Sequence, residues 1–338
     1  MVSLGCRVAV LSPYALRFDS PFITSLYFAP RIRSAAPPSW KLPLELWHLQ
    51  RKLRHLIKQA EQHFNQSCEL VFFSCLYASE SRHIHAAGAA LSQPCSGLYL
   101  HVAGDARQYF PPTFKTLAVL DEQAEGLFFP DVANAETTAT PLAQKLRDFA
   151  GKRPLVSLTG YLQPSKGIMP LIDLALRDDL QDYAFAFIGE LCRANFSSDQ
   201  LAKIATAEKQ SPNGFFHFHR LPDEASYNAI IQASDILYAA YIDFPHSSNT
   251  LTKAAVFEKP VIVSRGHLME RRAKDFRLGE VVPQNDAGSI VQAIRRITED
   301  YPQWFAQKQP RWKEYREAHS RTVLRQSFRQ LLEIYGVR

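Results

Sequence analysis

The sequence predicts an α/β protein of two Rossmann-like lobes whose parallel sheets face a cleft. Three observations point there. From Pro154 onward, short apolar runs alternate with amphipathic helical patterns, the order that builds a parallel sheet covered by helices on both faces. The first half repeats that order less regularly. At 338 residues the chain also suits two domains of roughly 150 residues each.

In chain order, "CRVAVLS", "ELVFFS", "GLYLHV", "TLAVLD" and "GLFF" read as strands of the first lobe. A helix over 46–64 follows the Pro/Ser-rich loop "RIRSAAPPSW". Its Leu46, Leu49, Leu53, Leu56, Ile57 and Ala60 share one face, with Arg51, Lys52, Arg54, His55 and Lys58 around the other. The polar stretch "PDVANAETTATPLAQK" reads as the linker. Domains are therefore expected at 1–145 and 146–309, with a helical tail at 310–338 packing back on the first lobe. In the second lobe "PLVSLTG", "YAFAFIG", "FFHFH", "DILYAAY", "PVIVS" and "EVVP" are rich in β-branched and aromatic residues and bounded by turn formers, as strands are. Helices are expected near 167–177, 197–209, 223–233, 247–258 and 287–299, and a long charged one over 310–335. In the first of these Ile168, Leu171, Ile172, Ala175 and Leu176 recur as one buried stripe.

Composition removes several functions. A net charge of +6 is compatible with an acidic ligand and too weak to argue nucleic acid. The five cysteines are scattered without Cys-x-x-Cys spacing, so neither a disulfide frame nor a zinc site is implied, and a reducing cytoplasm is expected. The start reads as a short strand ended by Pro13 rather than a signal peptide, and no apolar run approaches the length that spans a bilayer. No G-x-G-x-x-G follows a strand, no phosphate-loop motif places Lys166, and no G-x-S-x-G elbow exists. The acidic "RDDLQD" reads as solvated surface. His217 and His219 alternate along "FFHFH" and read as a buried hydrogen-bonded pair rather than metal ligands.

What recurs is strand, polar turn, helix. In "SLTGYLQPSKGIMPLIDLAL" Lys166 and Gly167 stand at a helix entrance, where outward N–H groups and the helix dipole already favour an anion. A second turn in "YIDFPHSSNTLTKAAVFEKPVIVS" carries His246, Ser247, Ser248, Asn249 and Thr250. Ser and Asn there are ordinary caps, but two such turns in one sheet suit a diphosphate.

These motifs resemble the C-terminal half of family-4 glycosyltransferases of the GT-B fold. "TGYLQPSKG", "FAFIGEL", "LPDEASYNAIIQASDILYAAY" and "FEKPVIVS" follow that family's order, and "LDEQAEGLFFPDVAN" resembles the end of its N-terminal lobe. The resemblance implies transfer of a sugar from a UDP-, GDP- or ADP-sugar to an acceptor hydroxyl, retaining and without metal or other cofactor. It makes Lys166 the cation at the diphosphate leaving group, and puts the donor among Gly160, Tyr161, Gly167, Glu190, Arg220, Asp243, His246, Ser248, Asn249, Thr250, Leu251 and Lys253. His101, ending a first-lobe strand, is placed against donor or acceptor sugar, beside the plainer reading of a polar strand end. The chain departs from the family in holding Tyr161 for a loop arginine, and Pro245 and Lys253 for a spaced pair of glutamates. Its opening strand resembles the second of the family's N-terminal lobe, which implies a missing or rebuilt first unit. A catalytically degenerate protein of the same fold, binding a sugar nucleotide or a partner, therefore stands as the alternative. The expected acceptor is a saccharide or lipid-linked, with no nucleic acid. The basic face of 46–64 is either a solvated helix face or a contact with the inner face of the membrane.

Overall fold

Burial explains most of the strand pattern. The structure, a computed structural model, describes residues 1–12, 16–27, 42–76, 91–99 and 114–337, with backbone alone at 12, 27, 42–46, 49, 75 and 76. It forms two units, Met1–Pro130 with Arg321–Arg338, and Asp131–Ser320. Every strand pairing among the described residues is parallel.

In the first unit β1 (Val8–Ser12) pairs with β2 (Ile23–Tyr27), a strand the sequence pattern did not reveal. Strands β3 (Val71–Leu76), β4 (Cys95–Tyr99), β5 (Ala118–Val119) and β6 (Leu127–Phe128) form a second sheet in that order. Helix α1 (Leu42–Phe64) buries Leu53, Leu56 and Ile57 and exposes Arg51, Lys52, Arg54, His55 and Lys58.

The second unit is one six-stranded sheet in the order β12-β11-β10-β7-β8-β9. Its strands are β7 (Leu155–Leu162), β8 (Ala184–Leu191), β9 (Gly214–His217), β10 (Ile236–Ala239), β11 (Val261–Ser264) and β12 (Gly279–Val282). β7 and β8 are apolar on both faces and nearly wholly buried, as central parallel strands are. Helices α2 (Pro141–Ala150), α3 (Ile168–Ala175), α4 (Ser198–Gln210), α5 (Glu224–Ala233), α6 (Asn249–Val256), α7 (Leu268–Asp275), α8 (Ala287–Thr298), α9 (Tyr301–Lys308) and α10 (Trp312–Ala318) complete it. Side chains fix several starts: Ser197 and Gln200 close a capping box on α4, and Asp223, Asp286 and Asp300 cap α5, α8 and α9.

Three expectations need correction. The division falls between Pro130 and Asp131 rather than at 145, because the stretch expected as linker is tied to the second unit. Thr140 caps α2, and Leu146 and Ala150 are buried with Leu155 and Ala184. The tail is not one helix. In α10 Trp312 and Tyr315 join the core of the second unit, while α11 (Arg321–Tyr335) belongs to the first. There Phe328 sits edge-on to Phe72 and Phe129, with centroids at 5.4 and 4.8 Å, and Tyr335 donates to the Cys95 carbonyl at 2.5 Å. One stripe serving two cores cannot run through a single straight helix, and the break falls at His319–Ser320. Finally, His217 is half-buried and His219 exposed, their rings edge-on at 5.3 Å, so they are not a buried pair.

Candidate functional site

β7 and β10 lie side by side, yet β7 leads to β8 and β9, and β10 to β11 and β12 on the other side. In an open parallel sheet a ligand crevice forms at such a switch, beyond the carboxyl ends of the strands. Both anion-friendly turns are there. Pro164–Lys166, a 3-10 turn, follows β7, and the segment from Ala240 to Ser248 follows β10.

Gly167 makes the two meet. Its φ is 68°, and a Cβ there would stand 2.2 Å from the Ala240 carbonyl oxygen. The Tyr238 hydroxyl donates to the Gly167 carbonyl at 2.9 Å, and the Ile242 N–H to the Ser165 carbonyl at 2.8 Å. No side chain caps α3. Among the described residues the N–H groups of Ile168 and Met169 have no side-chain acceptor, and Pro170 contributes no N–H.

Lys166 stands above two aromatic rings. Its Nζ lies 3.9 Å from the centroid of Tyr241 and 4.8 Å from that of Phe244, and the two rings meet edge-on at 5.0 Å. The Tyr241 hydroxyl bonds with Thr250 Oγ1 at 3.1 Å and Ser248 Oγ at 3.4 Å. Burial pushes this phenol up, but the Lys166 charge and those hydroxyls outweigh it and leave it below its ordinary value. Neither aromatic was singled out in the sequence. The available signal was an aromatic residue just past the apolar run that becomes β10.

At the start of α6, Ser248 Oγ accepts the Thr250 N–H at 3.3 Å, and the Ser248 carbonyl accepts the Leu251 N–H at 3.0 Å. The N–H groups of Thr250 and Leu251, expected to hold phosphate, are thus bonded internally, and Leu251 is buried. Asn249 opens the helix and is exposed. The turn before it is anchored from behind. Ser247 donates to Asp131, and the buried Arg272 reaches Ser247 Oγ at 2.5 Å and Asp131 Oδ2 at 3.2 Å.

Lys253 does not face a ligand. It is 1% exposed, and its ammonium donates to Glu224 Oε1 and Asn228 Oδ1, each at 2.6 Å, and to the Asn134 carbonyl at 3.5 Å. Three acceptors use the three donors an ammonium has, which removes Lys253 from the donor-binding set. The sequence places it on α6 but does not show that Glu224, Asn228 and Asn134 converge on it.

The other candidates spread along the same sheet edge. Gly160, φ 100°, pairs in register with Gly189, where a Cβ would lie 1.8 Å from the Gly160 carbonyl. Tyr161 is exposed and donates to Cys192 Sγ at 2.7 Å, a bond that raises its phenol above the ordinary value. Glu190, its register neighbour on β8, is exposed, as is Arg220 after β9. Asp243, φ 45°, donates its N–H to Gln284 Oε1, and the His246 ring meets Phe244 edge-on at 5.2 Å. His101 lies outside the described residues. Among those residues no cluster of three His, Cys, Asp or Glu could hold a metal ion, and no helix is long and apolar enough to cross a membrane.

No protein-family model and no curated protein sequence matches the chain. Solved structures do match by fold. A sucrose-phosphate synthase of Thermosynechococcus elongatus superposes with TM-score 0.68 at 14% identity, over 100% of this chain and 91% of that one. A glycosyltransferase of Rickettsia africae gives 0.65 at 16%, over 99% and 91%. HepE of Anabaena, in complex with UDP and glucose, gives 0.61 at 14%, over 92% and 86%. Parallel α/β units in tandem, matched along nearly their whole length by glycosyltransferase structures, give this chain the GT-B fold.

Proposed function

We propose that the protein is a glycosyltransferase that moves a sugar from a nucleotide-diphosphate sugar to an acceptor hydroxyl. One observation carries this reading: Lys166, at an uncapped helix start on the switch point of the sheet, held beside the loop that opens α6. A diphosphate there would take the ammonium and the N–H groups of Ile168 and Met169. As the glycosidic bond breaks, negative charge grows on the leaving diphosphate, and fixed positive groups stabilise that charge more than the ground state. A charge-assisted hydrogen bond contributes about 1.5–3 kcal/mol. HepE, of like fold, is a structure with UDP and glucose, which supports a UDP-sugar among the UDP-, GDP- and ADP-sugars. We take the reaction to retain configuration and to need no divalent metal, by the family-4 resemblance, and the acceptor to be a saccharide or lipid-linked. The exposed cations of α1, with Arg51 over the half-exposed Trp47 ring at 5.4 Å, support a peripheral contact with anionic lipid at the inner face of a cytoplasmic membrane.

A second reading, a binding protein without turnover, is favoured by the replaced positions: Tyr161 brings no charge, and Lys253 is committed to Glu224. Thermal-shift screening of UDP-, GDP- and ADP-sugars, followed by measuring nucleotide release with candidate acceptors, separates the two. Stabilisation with release supports the transferase. Stabilisation without release from any donor supports the binding protein.

A further inference from the structure

We infer that Tyr241 is the positioning residue of the anion site: its ring fixes the Lys166 ammonium, and its hydroxyl ties that ring to the start of α6. This rests on reading Lys166 as the diphosphate ligand. Tyr241 is 2% exposed, so its ring has one place to be. A lysine at a turn otherwise samples many rotamers, and ordering it on binding costs affinity. An ammonium 3.9 Å above a ring centroid, with Phe244 as second wall, is held by the ring's negative face. The affinity cost of ordering it is then partly met before any ligand arrives.

The hydroxyl does a separate job. It bonds with Thr250 Oγ1 and Ser248 Oγ, the residue that caps α6. Ring orientation and helix start are therefore linked, and so are the cation and the second turn. Against burial, the Lys166 charge and the hydrogen bonds with Ser248, Thr250 and Lys166 hold the phenol below its ordinary value.

The test is calorimetric titration of UDP into the full chain and four variants. Lys166→Ala is expected to weaken UDP about ten- to hundredfold, and Tyr241→Leu about three- to tenfold. Tyr241→Phe, which keeps the ring but removes the hydroxyl bonded to Lys166, Ser248 and Thr250, should lose less than Tyr241→Leu, about two- to threefold. Adding Tyr241→Leu to Lys166→Ala should cost nothing further, because the ring acts through the lysine. Native-like binding by Tyr241→Leu, or the same loss with and without Lys166, overturns the inference. If Lys166→Ala binds UDP as the native protein does, the diphosphate reading itself fails and takes this one with it. A measurement without a Tyr241 variant covers poor folding. In native protein with 13C-labelled lysine, the Lys166 ε-methylene signal, identified by its loss in Lys166→Ala, should be shifted upfield by the ring. An unshifted signal overturns the positioning role.

Discussion

Lys166 and Lys253 are the same residue type in opposite circumstances, and the difference decides what each does. Lys166 is half-buried and leans on aromatic faces, with one hydrogen bond to the Tyr241 hydroxyl; the faces themselves attract a cation without using its N–H donors. Lys253 is buried, and Glu224, Asn228 and Asn134 take its donors. Lys253→Met is therefore expected to destabilise the second unit by about 1–3 kcal/mol, since Asn228 Oδ1 loses its donor, while the Asn134 carbonyl keeps the Asn228 amide at 3.3 Å. Glu224, whose side chain is 51% exposed, returns to water and limits the loss. UDP affinity should stay within about twofold, a change of at most ~0.4 kcal/mol. Urea unfolding and UDP titration of the same variant check both halves, and a large loss of affinity with unchanged stability would restore Lys253 to the site. At this scale the sequence was half legible. The place of Lys166, between a strand and a helix start, is readable from local pattern and is where the structure has it. A lysine inside a helix carries no mark of the distant residues that close over it.

Elements were read best where one physical rule decides them. β7 and β8 are buried on both faces, so unbroken apolar runs gave them away. β2, whose described side chains are only partly buried, and the short α7 and α9, with charge or aromatic residues on most sides, had no such rule and were missed. The turn at Gly167 shows how closely elements are set. Gly167→Ala places a methyl 2.2 Å from the Ala240 carbonyl at a φ of 68°, which L side chains adopt at a cost of about 1–2 kcal/mol. The turn must move off β10 and carry Lys166 with it. The expected outcome is a folded protein, less stable by about 2 kcal/mol or more, with UDP binding weakened as in Lys166→Ala. Unchanged binding would show that the turn can shift without moving the cation. Behind the second turn, Arg272 is 2% exposed and pairs with Asp131. Removing Arg272 leaves the partly exposed Asp131 carboxylate with Ser247 as its remaining side-chain donor, so Arg272→Ala should cost about 1.5–3 kcal/mol by urea unfolding. A loss under 1 kcal/mol would mean that water reaches Asp131.

The two units and their parallel sheets were legible because strand–helix alternation is a property of the whole chain rather than of one segment. The boundary was not, since a polar, proline-containing stretch looks like a linker whether or not its carbonyls and α2 are bound to one unit. A buried histidine gives the second unit a pH signature. His319, stacked on Tyr315 at 4.2 Å, is held neutral by burial and then by Arg272, its pKa pushed down to about 3 from 6.5. In the unfolded chain it takes up a proton as pH falls below about 6.5, while the folded state does not until about 3. Its contribution is complete above the upper value and is lost progressively through that window. From pH 7 to pH 5 this group should cost up to about 2 kcal/mol. His319→Phe, which keeps the stacked ring, should remove that part of the slope in urea unfolding at the two pH values. An equal slope in both proteins would mean that His319 is protonated in the fold. For function, everything returns to the switch point between β7 and β10. A crystal structure with UDP tests that most directly. The account predicts the diphosphate within hydrogen-bonding reach of Lys166 Nζ and the N–H groups opening α3. An ordered UDP whose phosphates lie away from Lys166 would contradict it.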